Sequence, residues 1–214
     1  VRVLSLTPGV GLVWSEHANP HAPQIAADGG IADVAVILRS VGPNSLPAPM
    51  ANYAHGQLQI GAAGRIGFAR PGQTLTLVSP SERTVAVRGR GAAFFGLTLP
   101  TNTERRRPLA QAGWVELSSA SGDYWARAWV YVSANDVGTC TDTAGQFTLP
   151  NIPTGTYELC VWMPHWATAR QDRDPETGLP YRQWYRPAIE ITQRIDVPTP
   201  ALEIIVPAQA AERP

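Results

Sequence analysis

The chain has 214 residues, 44% hydrophobic and 16% charged, with 17 basic against 17 acidic residues and a formal net charge of zero. That length and balance allow a full core, suit one large β unit or two small ones, and give no overall attraction to nucleic acid or to acidic membranes. Every basic residue is arginine, so mechanisms built on a P-loop lysine or a lysine Schiff base are excluded.

The 20 prolines and 19 glycines are scattered rather than clustered, which fits many short strands joined by turns, and the fold class expected is all-β. No apolar run approaches the roughly 20 residues that span a bilayer. Val1 in place of Met fits a removed signal peptide or an incomplete sequence alike.

Residues 10–14 read as a first strand, followed by a polar loop over 15–23 that holds His17 and His21. Their i, i+4 spacing would suit a metal on a helix, which the intervening Pro20 opposes. The Asp28-Gly-Gly30 turn leads into residues 31–39, IADVAVILR, apolar on both faces and so expected at the centre of a sheet. Residues 43–56 read as a Pro/Asn/Ser-rich loop, and strands are expected at 57–60, 65–68, 74–78, 83–88, 94–99 and 114–117. Between the last two, residues 100–108 read as a loop carrying Arg105, Arg106 and Arg107. Such a charge run is either a solvated surface or a dock for an acidic partner.

Turn chemistry and alternation agree best over residues 138–162, GTCTDTAGQFTLPNIPTGTYELCVW. Phe147, Leu149, Tyr157, Leu159 and Val161 alternate with polar or small residues between two Gly-containing turns, predicting a β-meander with one buried face. Cys140 and Cys160 are expected on neighbouring strands of it, either as a disulfide or as two small core residues. Residues 162–187 then carry Trp162, Trp166, Tyr181, Trp184 and Tyr185 with Arg170, Arg173, Arg182 and Arg186, on a connection with weak strand or helix signal. A loop this long is functional or disordered more often than not. Aromatic and arginine enrichment suits a protein interface, stacking on sugar rings, or a small core folded over one end of a sandwich. Residues 188–197 and 202–206 alternate as the last strands, and 209–214 form a polar tail.

The meander's Thr141, Asp142, Gly145, Phe147, Leu149, Pro153, Gly155, Tyr157, Leu159 and Val161 resemble the repeat of carboxypeptidase regulatory-like, transthyretin-type sandwich domains. Upstream, the succession of IADVAVILRSV, Pro-Gly-Gln-Thr-Leu, Ser-Pro-x-x-x-Thr-Val, Phe94-Phe95 and the Trp125–Val130 segment resembles cupredoxin-like proteins of the methylamine-utilisation and plastocyanin type. That family implies copper held by two imidazoles, a thiolate and usually a thioether. Position by position, its histidines fall on Arg83 and near Asp123, its cysteine near Ala120 and its methionine near Ala126, none of which can serve. Cys160, Met163 and His165 form another soft-ligand group, which a regular strand would not turn to one side.

No Gly-x-Ser-x-Gly elbow is present, and Gly89-Arg-Gly91 lacks the rest of a dinucleotide fingerprint. The expectation is therefore a non-enzyme without cofactor or metal. Its organisation would be a cupredoxin-like sandwich over 1–133 packed on a transthyretin-like sandwich over 134–208, with the aromatic insertion at 162–187. The resemblance implies an extracytoplasmic accessory subunit, periplasmic and peripheral to the membrane, docking on a respiratory or photosynthetic electron-transfer complex. The partner-binding residues expected are the nine aromatic and arginine residues of the insertion together with Arg105, Arg106 and Arg107. A copper electron carrier and a carbohydrate-binding module are the alternatives.

Overall fold

The structure is a computed structural model that describes residues 2–5, 13–14, 17–18, 24–42, 48–54, 57–61, 64–80, 83–120, 123, 125–165, 168–173, 175–176, 178, 180–199 and 201–206. Its regular elements are all strands, so the all-β expectation holds. The chain divides into two compact units: Pro43–Ala134 forms one, and Val1–Gly42 with Asn135–Pro214 the other. The expected first domain, residues 1–133, is corrected by this division, because the first 42 residues belong with the C-terminal part.

The reason is strand pairing. After three short strands, β1 (Arg2–Ser5), β2 (Val13–Trp14) and β3 (His17–Ala18), comes β4 (Ala35–Arg39). β4 is buried from Ala35 to Leu38, as its two apolar faces predict. The ladders that satisfy it come from far along the chain: β14 (Val137–Cys140) on one side and β15 (Gly155–Met163) on the other.

The unit Pro43–Ala134 holds nine of the described strands: β5 (Met50–Ala54), β6 (Gln57–Ile60), β7 (Ile66–Ala69), β8 (Thr74–Ser79), β9 (Val85–Gly91), β10 (Phe95–Leu99), β11 (Thr103–Pro108), β12 (Gly113–Ser119) and β13 (Arg127–Val132). They form two sheets, in the orders β10-β9-β12-β13-β7 and β11-β8-β5-β6. Alternation supplies the core, with Leu75 and Leu77 of one sheet and Val85, Val87, Val115 and Leu117 of the other in one buried cluster. Residues 50–54 form a strand where a loop was expected, since the prolines before them hide a stretch in which only Ala51 and Tyr53 point inward. The loop expected at 100–108 is likewise a turn followed by β11.

In the other unit, β14-β4-β15-β18 make a four-stranded sheet with β18 (Ile189–Val197), and β1 pairs in parallel with β19 (Glu203–Val206). Thr141 joins the unit's two parts: its hydroxyl donates to Ile31 O at 2.7 Å and accepts from Val34 N–H at 2.9 Å. Asp142 builds the turn predicted there, its Oδ1 accepting from the amides of Ala144 and Gln146. Phe147 and Leu149 reach the core as expected, but their backbone forms no ladder. The insertion, expected as a long loop, contains β16 (Thr168–Arg173) and β17 (Pro180–Tyr185), a hairpin that is its own two-stranded sheet. Its irregular register explains the weak periodicity.

Candidate functional site

In the unit Pro43–Ala134, the positions onto which the family's histidines were carried meet. Arg83 Nη2 lies 2.5 Å from Asp123 Oδ2, and the Tyr53 hydroxyl donates to the same carboxylate oxygen. Ser119 Oγ is hydrogen-bonded to the Tyr53 hydroxyl at 3.0 Å. Strand β5 sends Tyr53 inward and β12 ends at Ser119. The loop to β13 brings up Asp123, held by Ala126 N–H donating to the Asp123 carbonyl at 2.8 Å. Asp123 and Tyr53 are buried while the Arg83 side chain is half exposed. Burial, with the hydrogen bond to Asp123, pushes the Tyr53 phenol up to about 12. The bond to Asp123 raises Arg83 further above its already high value.

This donor set does not fit copper. A permanently charged guanidinium occupies the first position, Ala120 and Ala126 offer no side-chain donor, and the one carboxylate is engaged by Arg83 and Tyr53. Among the described residues no three His, Cys, Asp or Glu side chains gather as a metal site. Cys160 and Met163 lie on opposite faces of regular β15, Met163 in the core cluster with Leu159 and Val161. His165 follows, buried, and burial followed by the nearby Arg186 charge lowers its pKa. His17 lies in β3, and His21 lies outside the described residues.

Neither cysteine is in a disulfide. They are not on neighbouring strands, because β4 runs between β14 and β15, with Cys140 opposite Ala35 and Cys160 opposite Ile37. Two strand spacings are roughly 10 Å, beyond the ~7 Å Cα limit of a disulfide. Burial pushes both thiols up, Cys160 to about 11 with Glu190 adding to the effect, so neither is an activated nucleophile.

The expected partner-binding residues separate into two groups, one in each unit. On the hairpin, the Arg170 guanidinium lies 4.7 Å over the Trp184 ring and pairs with Asp172 Oδ1 at 3.0 Å. Arg173 Nη1 donates to Gly178 O at 2.9 Å. Arg170 and Arg173 are exposed; Trp184, Tyr185 and Arg186 are partly so. Trp162 does not belong to this surface, since it lies in β15 with 6% of its area exposed. Trp166 and the side chains of Tyr181 and Arg182 lie outside the described residues. Arg105, Arg106 and Arg107 are on β11 of the other unit. Tyr53 and Ser119 were missed from sequence because a single inward Tyr and a strand-end Ser have no distinguishing pattern.

No family model matches the chain, and no curated protein matches it. Among solved structures it is similar to a Cu(I) form of an amicyanin mutant, at 15% identity and a TM-score of 0.34, over 46% of this chain and 98% of that one. A purple cupredoxin from Nitrosopumilus maritimus is similar at 14% identity and a TM-score of 0.34, over 41% of this chain and 100% of that one. Likenesses at this level identify no family.

Proposed function

We propose that the chain is a non-enzymatic, extracytoplasmic accessory subunit that docks on a larger membrane-associated electron-transfer assembly. The observation behind this reading is the hairpin β16–β17, which carries Arg170 stacked on Trp184 and also an exposed Arg173. Such side chains bring large contact area and directional hydrogen bonds to an interface. Two features support a docking role over electron carriage: Arg83 and Asp123 close on each other where the sequence resemblance would put copper ligands, and both thiols are held protonated. The assembly's electron-transfer character comes from that resemblance. No helix among the described residues is long and apolar enough to cross a membrane, which suits a peripheral subunit.

The test is a native gel of mildly solubilised source membranes, with mass spectrometry on the band that holds this chain. Migration with a redox or pigment complex is expected, and loss of that migration in Trp166→Ala/Trp184→Ala. A wild-type chain migrating as a free monomer overturns the reading. Copper added to the purified protein is expected to leave on dialysis without a charge-transfer band; stoichiometric retention would favour an electron carrier.

A further inference from the structure

Strand β11 is the edge of its sheet, with β8 on one side and no strand paired on the other among the described residues. Leu109 N–H donates to Gln73 O at 2.8 Å, continuing the β11–β8 ladder. By antiparallel alternation, Thr103, Arg105 and Arg107 direct their backbone groups toward β8, and Glu104, Arg106 and Pro108 direct theirs outward. Two outward carbonyls have an unusual covering: the Arg105 guanidinium donates to Glu104 O at 3.2 Å and that of Arg107 to Arg106 O at 3.1 Å. These two arginines sit opposite core residues Leu77 and Leu75, so they share the core-facing side of the sheet and curl outward at its rim. Arg106 lies on the other side, 72% exposed and paired with Glu104 at 2.5 Å.

Arginines folded over their own strand's carbonyls blunt an open edge. A neutral strand would have to displace them without return, and a second copy of this strand would bring like charges together. An acidic strand meets a different balance. Each displaced bond is a single solvent-exposed contact to a neutral carbonyl, while carboxylates at alternate positions offer the same guanidinium groups bonds in which both partners are charged. The backbone then gains a ladder on the side where no described strand pairs with β11.

We propose that β11 receives an extended, acidic segment of the partner protein by strand addition, with alternate carboxylates on Arg105 and Arg107. This rests on the docking role above and specifies how one of its two arginine surfaces would bind. The full chain is titrated at low salt with a fluorescent ten-residue peptide of alternating Val and Glu, while amide hydrogen exchange is followed at Glu104 and Arg106. Binding is expected to slow exchange at those two amides at least tenfold. Arg105→Glu/Arg107→Glu should weaken binding at least tenfold, and a peptide N-methylated at alternate positions should give no protection. Absence of binding, binding without protection at these amides, equal binding of a control peptide of alternating Val and Lys, or chain self-association through β11 would each overturn the proposal. Arg106→Pro, which removes an outward N–H and spares the ladder to β8, separates it from the wider reading. Retained co-migration of that variant with the complex ends the strand-addition proposal alone, whereas free migration of the wild type removes the docking role itself.

Discussion

Asp123 and Trp184 are each the centre of a small arginine-aromatic group, one in each unit, and the two groups have opposite character. Around Asp123 a buried carboxylate is engaged by Tyr53 and Arg83, so each partner is fixed by the cost of leaving that charge alone. Around Trp184 the carboxylate is Asp172, two residues from Arg170 on the same strand, and the guanidinium is 70% exposed. A pair so close in sequence, with its guanidinium exposed and its acid only partly covered, contributes little to folding and loses little when a partner displaces it. Residue type is shared; burial of the acid decides whether the arginine serves the fold or remains available to a partner.

Removing the buried acid should widen the contrast most. Asp123→Ala is expected to cost about 2 kcal/mol in urea unfolding, because it removes the carboxylate acceptor of the buried Tyr53 hydroxyl and leaves that hydroxyl with Ser119 alone. A loss below about 1 kcal/mol would put the two groups on the same footing. Tyr53→Phe keeps the carboxylate and the Arg83 pair, so the expected cost falls to about 1–1.5 kcal/mol by the same measurement.

The pH dependence isolates the phenol. Its folded pKa is raised from 10.0 to about 12, so between those values the native state binds more protons than the unfolded one. Stability from this group is fully present below pH 10 and falls as pH rises toward 12. Wild type should therefore lose more stability across that window than Tyr53→Phe, and parallel curves would contradict the shift. The smallest folding effect belongs to Trp184→Ala, below about 1 kcal/mol by thermal unfolding. A larger drop would mean that the hairpin aromatics serve packing rather than a partner.

Much of the architecture was legible because alternation with flanking turns is a local signal. Residues 31–39 and 155–163 each declare a buried strand, and the Asp142 turn is written in its own side chains. The domain division was not legible, since nothing local in IADVAVILR distinguishes pairing with residues 137–163 from pairing with nearer strands. The same limit misplaced the cysteines: adjacency in a meander was inferred from proximity in sequence, and β4 entered between their strands. At the candidate site, Arg83 and Asp123 were reached only by carrying family positions across, and their direct contact is a property of the folded loop. The arginine run at 105–107 was conspicuous, but its orientation depends on register with β8, which the run does not encode.

The bond from Val34 N–H to Thr141 joins residues 107 positions apart. During synthesis at about 5–20 residues per second, that separation leaves the apolar strand β4 waiting roughly 5–20 s before its partners exist, while the whole unit Pro43–Ala134 is being made. The intervening unit can complete its own sheets in that interval, and the first 42 residues cannot. A nascent chain halted before residue 137 should therefore present β4 as a site for chaperones, and release it once β15 has emerged.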